Sequence, residues 1–160
     1  MSVLDSIAAT LRAEGRSDAE VYGILLGQFV GTPYLWGGSG VLGSDCSGSV
    51  CACLSRVVGK PVRVTADELY RNWFTVDAPG VDSLDGKLAA AFFLDKDGRA
   101  IHVSGHMGQG LFLNASSIED GRRAAPRTWE ELLSMYGSFV PALRVCRAAC
   151  PGKGGKGVAR

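Results

Sequence analysis

The sequence predicts an α+β fold in which helices come first and an antiparallel sheet follows. Up to about residue 73, apolar residues recur every three or four positions, as on one face of a helix. Between residues 89 and 115 they fall instead in short apolar or alternating runs that are separated by turn residues. This segregation of helices from strands is typical of α+β domains.

Four helices are predicted in the first half of the chain, from apolar spacing and from Ser or Thr followed three residues later by Glu. They begin near Val3, Ser17, Cys46 and Thr65. Gly15 ends the first helix and Gly59 the third, since glycine favours helix ends. Between the second and third helices, residues 31–44 contain Pro33 and several glycines, which predict a loop.

The second half of the chain predicts an antiparallel meander followed by one more helix and strand. The strands are predicted over Ala89–Leu94, Ala100–Met107, Leu111–Ala115 and residues 138–145. Thr128 and Glu131 have the spacing of a capping box, so a helix begins there and continues to Tyr136. Residues 76–87 are rich in turn residues and predict a loop. A solvated basic loop is predicted beside Pro126, where Arg122, Arg123 and Arg127 cluster.

Length and composition predict one domain. The 160 residues are 46% hydrophobic, which is enough to bury an ordinary core. We predict a single domain over residues 1–150, with residues 1–30 as a helical preface. Residues 151–160 are rich in Gly and Lys and predict a flexible tail.

Charge and hydropathy exclude several classes of function. Seventeen Lys and Arg residues against sixteen Asp and Glu give a net charge of +1, so we expect no binding to nucleic acid or to an anionic membrane. We find neither a signal peptide nor an apolar run of the roughly 20 residues that span a bilayer. We therefore expect synthesis in the cytoplasm without a signal peptide.

Five cysteines, at 46, 51, 53, 146 and 150, form an odd set without a CxxC pair. This argues against a complete disulfide framework and against a metal site, so at least one thiol is free. Cys46 opens the third predicted helix, where unpaired N–H groups and a partial positive charge favour a thiolate. Cys46 is therefore the candidate nucleophile, and Cys51 and Cys53 are expected to pack inside.

The sequence contains two histidines, His102 and His106, and either could be the base. Both lie on one predicted strand and, by its period of two, on the same face, so alternation does not separate them. Asn114 lies on the next strand. It could orient an imidazole as the third member of a Cys-His-Asn set.

Two motifs point to a known family. The first is GTPYLWGG at residues 31–38 and the second is DCSG at residues 45–48, with His102 and Asn114 following downstream. Together with Arg63 and Thr65, which match an Arg-x-Thr/Ser element, this pattern resembles the NlpC-type cell-wall endopeptidases. The resemblance covers residues 31–145. It departs at KLAAAFF, residues 87–93, where the family usually has a Gly-Asp pair before its apolar run.

The resemblance implies a papain-like fold whose nucleophile helix packs on the antiparallel sheet. It also implies roles for six residues: Cys46 as nucleophile, His102 as base, Asn114 as orienting residue, and Tyr34, Asp45 and Ser47 as substrate-binding residues. His106 is then expected to be structural. Neither a cofactor nor a metal is required.

The function implied is cleavage of a peptide bond in the peptidoglycan stem, most often in this family between D-γ-glutamate and a diamino acid. Without an export signal, we expect a phage lysin or tail component, and otherwise an injected antibacterial effector with an immunity protein as partner. Two rival functions fit the same scaffold: a catalytically silent peptidoglycan-binding module, and an acyltransferase or deamidase that uses the same thioacyl intermediate.

Overall fold

A computed structural model of the protein describes residues 2–147. The predicted tail over residues 151–160 lies outside these residues, as does Cys150. Within the described part, four of the five α-helices precede the main antiparallel sheet and the fifth lies before its last strand, so the α+β class is confirmed. No helix in residues 2–147 combines the length and the apolar content that crossing a bilayer requires.

Residues 2–147 form five α-helices and eight strands. The helices span Val3–Ala13 (α1), Asp18–Gly27 (α2), Cys46–Val58 (α3), Ala66–Glu68 (α4) and Trp129–Met135 (α5). The strands span Ser39–Gly40 (β1), Gly43–Ser44 (β2), Val76–Asp77 (β3), Ala89–Leu94 (β4), Ala100–Gly108 (β5), Leu111–Asn114 (β6), Ala125–Thr128 (β7) and Val140–Val145 (β8). A π-helical turn, Leu69–Trp73, continues α4.

The capping residues predicted from the sequence begin their helices. Ser17, Thr65 and Thr128 each accept the N–H of a Glu three residues on, and each Glu carboxylate accepts the N–H of its capping residue. A fourth box, Ser2 with Asp5, opens α1. These bonds satisfy N–H groups that the first turn of a helix leaves unpaired, so local sequence sets where the helices start.

Six strands form the main sheet in the order β3-β8-β4-β5-β6-β7, and every neighbouring pair is antiparallel. Strands β1 and β2 pair separately as a hairpin in the segment predicted as a loop. Strand β7 lies in the segment predicted as a basic loop, and that prediction is wrong. Its Pro126 is tolerated because β7 is an edge strand of the sheet.

Alternate residues of the central strands enter two different cores. Phe92 and Val103 face α1, α2 and α3, whereas Phe93 packs on the other side of the sheet with Phe112 and Tyr136. His102 pairs with Phe93 across β4 and β5, so its ring belongs to that second side. The side chain of the candidate base therefore lies on the sheet face opposite to α3.

The loop before α3 approaches the helix closely at Gly48. A Cβ atom on Gly48 would lie 1.8 Å from the carbonyl oxygen of Gly38, which no packing allows. We therefore expect Gly48→Ala to lower the free energy of unfolding by about 3 kcal/mol, as overpacking against backbone does. Urea denaturation measures this change.

Gly40→Ala is the matched control. A Cβ at Gly40 meets nothing within 4 Å, so we expect a change of less than about 0.5 kcal/mol. Equal effects of the two substitutions would show that the contact between Gly48 and Gly38 carries no constraint.

Candidate active site

Cys46 is the first residue of α3, as predicted, and its side chain is partly exposed. Asp45 caps the helix, because its Oδ1 accepts the Gly48 N–H at 2.7 Å. The thiol thus lies where the N–H groups of the first turn point out of the helix. This position can stabilise negative charge on sulfur.

The sulfur of Cys46 lies beside the strand that carries His102. The N–H of Val103, the residue after His102, donates toward the sulfur and lowers its pKa. Strand β6 ends at Asn114, alongside Ser104, so Val103 has no partner residue on β6. The sulfur thus lies near the backbone of β5, whereas the imidazole of His102 projects from the opposite face of that strand.

Although Cys46 is partly exposed, the protein atoms packed around its sulfur have the largest effect on the pKa of the thiol. This burial raises the pKa of Cys46 to about 11, and the negative charge of Asp45 acts in the same direction. The N–H groups of Val103, Ser47 and Cys46 itself oppose this rise. At neutral pH the thiol therefore keeps its proton until a base removes it.

His102 is buried among aromatic rings on β5. Its imidazole stacks on Tyr136 with 4.4 Å between ring centres. Nε2 lies 2.7 Å from Oδ1 of Asn114, on the neighbouring strand. Burial lowers the pKa of His102 to about 4, although Asn114 and the charge of Glu119 act in the opposite sense. The imidazole is therefore neutral at physiological pH.

Asn114 joins His102 to a network of buried polar groups. Besides its contact with His102, its Oδ1 accepts from the Ser104 hydroxyl at 2.9 Å and from the Tyr136 hydroxyl at 3.2 Å. Its Nδ2 donates to Oε2 of Glu119 at 2.9 Å. Asn114 is fully buried, so these bonds hold its amide in one orientation.

Asp45 and Ser47, predicted to bind substrate, lie together with Arg63 at the start of α3. The guanidinium of Arg63 lies 3.4 Å from the Asp45 carboxylate and 3.3 Å from the Ser47 hydroxyl. The second carboxylate oxygen of Asp45 accepts the Gly37 N–H at 2.8 Å. An amine at this site would therefore share Asp45 with Arg63.

Tyr34 lies in the loop before α3, where its backbone pairs with Ser44, two residues before Cys46. Burial raises the pKa of Tyr34, and negative charge on Cys46 and Asp45 raises it further. The guanidinium of Arg122 lies over the Tyr34 ring, 5.6 Å from its centre. The backbones also meet, since the Tyr34 N–H donates to the Arg122 carbonyl at 2.7 Å.

Comparison with known families agrees with this geometry. The NlpC/P60 family model matches residues 31–133, more than half of the chain. The chain belongs to the NlpC/P60 family. The resemblance found in the motifs at residues 31–38 and 45–48 is thereby confirmed.

Solved structures of NlpC/P60 proteins share the fold. NlpC2 from Trichomonas vaginalis has a TM-score of 0.64 at 21% identity, covering 81% of this chain and 47% of that one. The P60 domain of M. avium subspecies paratuberculosis antigen MAP1204 has a TM-score of 0.57 at 22% identity, covering 79% and 93%. This chain thus spans about half of the Trichomonas protein. The papain-like fold is confirmed.

A third similar structure belongs to an NlpC/P60 protein that is described as non-catalytic. RipD from Mycobacterium tuberculosis has a TM-score of 0.56 at 16% identity, covering 81% of this chain and 97% of that one. It is described as a non-catalytic NlpC/p60 domain protein adapted to peptidoglycan binding. The family fold therefore also occurs in a protein without catalysis.

The remaining histidine and cysteines of the described residues have structural surroundings. The His106 ring packs at a tilt of 57° against Phe112, and its Nε2 accepts the Gly110 N–H at 3.2 Å. Cys51 and Cys53 are buried in α3, as expected for packing. No group of three or more His, Cys, Asp or Glu side chains within residues 2–147 is arranged to hold a metal ion.

Sequence reasoning missed four residues that surround the His102 and Asn114 pair. They are Ser104, Glu119, Arg127 and Tyr136. Ser104 could have been found, because it lies two residues from His102 on the same strand face. Glu119 and Arg127 come from a loop and an edge strand, and no spacing in the sequence links them to Asn114.

The low pKa of His102 predicts a measurable titration. Because burial disfavours the imidazolium, we expect His102 to stay neutral down to about pH 4. Its pKa in the unfolded chain is near 6.5, so the stability contributed by the neutral ring is present above that pH. It is lost progressively as pH falls toward 4.

NMR titration of histidine-labelled protein measures this pKa, with His106→Gln used to assign the two rings. Urea denaturation between pH 7 and 4 should show the matching loss of stability. A His102 midpoint near 6.5 would contradict a buried imidazole.

Proposed function

We propose that this protein is a peptidoglycan hydrolase, a cysteine endopeptidase that cuts a stem-peptide bond of the bacterial cell wall. One observation carries the proposal. The Cys46 thiol begins α3 and lies against β5, where Asn114 holds the imidazole of His102. Membership of the NlpC/P60 family supports peptidoglycan as the substrate.

The proposed reaction begins with transfer of the thiol proton to His102. Nε2 faces Asn114, which leaves Nδ1 as the nitrogen that takes the proton. The sulfur attacks the amide carbonyl carbon, and the oxyanion that forms accepts the Cys46 N–H. Since the thiol and the imidazole are both neutral at rest, proton transfer accompanies the attack.

Collapse of this intermediate breaks the carbon–nitrogen bond, and the imidazolium gives its proton to the leaving amine. The acyl group then remains on sulfur as a thioester. Water attacks the thioester while His102 takes one of its protons, and the thiol is regenerated as the carbon–sulfur bond breaks. The sequence of steps needs no redox partner.

For the scissile bond we propose the D-γ-glutamyl bond to a diamino acid. The Asp45 carboxylate and the Ser47 hydroxyl offer acceptors for a free amine, and the Tyr34 phenol bounds the site near the sulfur. The Asp45 carboxylate is almost completely buried, which limits access to a small group such as a primary amine.

The rival function is a silent peptidoglycan-binding module, which the likeness to RipD favours. The Cys-His-Asn set of this chain argues for turnover instead.

For the route to the wall, we propose a phage-borne lysin, with an injected effector as the second candidate. Purification together with an immunity protein would decide for the effector.

Cys46→Ala should abolish turnover and leave thermal stability nearly unchanged, because a partly exposed thiol at a helix start contributes little packing. Mass spectrometry of purified sacculi before and after incubation measures the cut. Cys53→Ala removes a second thiol from the same helix and should retain turnover. Turnover by Cys46→Ala would remove Cys46 from the mechanism, and uncut but bound sacculi with the unsubstituted protein would favour the binding module.

Asn114→Ala should lower kcat by about 10- to 100-fold without abolishing turnover, since it removes the group that orients His102 but leaves both reacting groups in place. Initial rates on a synthetic stem peptide measure the effect. A loss as complete as that of Cys46→Ala would assign Asn114 a direct part in the chemistry.

A further inference from the structure

Behind Asn114 lies a buried ion pair that the proposed mechanism has not used. Glu119 follows β6, and its side chain is 1% exposed. Its Oε2 accepts from Nδ2 of Asn114 and from Nε of Arg127, each at 2.9 Å, and its Oε1 accepts from Nη2 of Arg127. The carboxylate is thus held between an amide and a forked guanidinium.

Glu119 is ionised despite its burial. Burial on its own would raise the pKa of this carboxyl, but the bonds from Arg127 and Asn114 outweigh it and the pKa is lowered. An ionised carboxylate has no proton to donate and can only accept hydrogen bonds. Glu119 therefore requires a donor from Asn114.

This requirement fixes which way round the Asn114 amide lies. The Ser104 and Tyr136 hydroxyls can donate or accept, so they fit either orientation of the amide. Glu119 fits only the one in which Nδ2 points toward it. Oδ1 must then face His102, and because Oδ1 only accepts, Nε2 of His102 must carry the ring proton.

We propose that Glu119, held by Arg127, is a positioning residue that sets the tautomer of His102 through Asn114. With the proton on Nε2, the lone pair is on Nδ1, the nitrogen that takes the thiol proton. We call the hydrogen bonds from Arg127 through Glu119 and Asn114 to His102 the relay. Its effect on catalysis rests on the proposed function. The direction of its hydrogen bonds is independent of that function.

Arg127 binds the buried Glu119 more closely than it binds the exposed Glu131. Its guanidinium also approaches Glu131, but at 3.7 Å and on an exposed side chain. Glu131 accepts the Thr128 N–H in the capping box of α5, which a Gln in its place would preserve. Glu131→Gln therefore removes a carboxylate from Arg127 without touching Asn114, and it is the matched control.

The experiment is a long-range proton–nitrogen NMR spectrum of protein labelled with nitrogen-15 in histidine, which separates the two tautomers. His102 should show the proton on Nε2. His106 supplies an internal reference of the opposite kind, because its Nε2 accepts the Gly110 N–H and its proton must lie on Nδ1. A proton on Nδ1 of His102 in the unsubstituted protein would overturn the proposal.

Glu119→Gln should weaken the relay. The carboxylate accepts three hydrogen bonds from Asn114 and Arg127, and Gln offers a single carbonyl oxygen for these donors. The Asn114 amide is then no longer held in one orientation, and where its NH₂ turns toward Nε2 of His102 the ring proton moves to Nδ1. We expect His102 with the proton on Nδ1 to become detectable and kcat to fall several-fold, with KM within about twofold because Glu119 is buried away from substrate.

Glu131→Gln should change neither the tautomer nor kcat. An unchanged His102 tautomer in Glu119→Gln, with a loss of kcat no larger than in this control, would reduce Glu119 to a structural role and overturn the proposal.

The double variant Asn114→Asp with Glu119→Gln tests the same logic if the single variant fails to fold. It restores an acceptor beside His102, and the new Gln can donate to Asp and accept from Arg127. We expect the proton on Nε2 again, and a proton on Nδ1 would overturn the relay. Because the tautomer is measured without turnover, a protein that leaves peptidoglycan uncut still decides the outcome.

Discussion

The carboxylate of Asp45 holds the nucleophile helix in place, and the geometry of the site depends on it. One of its oxygens binds the first turn of α3 and the other binds the preceding loop, so two segments converge on a single buried anion. The same charge disfavours a thiolate on the neighbouring residue. Backbone N–H groups around the sulfur offset this conflict, and one of them comes from β5. Asp45 thus fixes the position of the Cys46 sulfur but does not lower the pKa of its thiol.

The thiol and the imidazole approach from opposite faces of the sheet. Between them β6 stops at Asn114, so the backbone of β5 has no strand partner beyond Ser104. Asn114 has two roles at this place, since it is both the last residue of the strand and the partner of His102. A longer β6 would pair with β5 where the Val103 N–H now faces the sulfur.

Local signals in the sequence predicted the helices, the central strands and the family. Capping boxes such as Ser17 with Glu20 act within one turn, so their effect is visible in four residues. The Cys46, His102 and Asn114 set was also predicted, largely because the motifs resembled a known family. Strand β7 was missed because its residues are polar and include Pro126, which is permitted only at a sheet edge. Glu119 was missed because its role depends on contacts that the chain makes only once folded.

The position of β8 affects how the protein is made. This strand comes last in the described chain but is inserted between β3 and β4, where it pairs with all six residues of β4. Until Val145 has left the ribosome, β4 has an open edge lined by buried residues, and the two cores that share this strand are incomplete. Synthesis from the N-terminus therefore delays assembly of the sheet until β8 is available. A chain cut short before β8 would present the unpaired edge of β4 to other chains, where strands can add and aggregate.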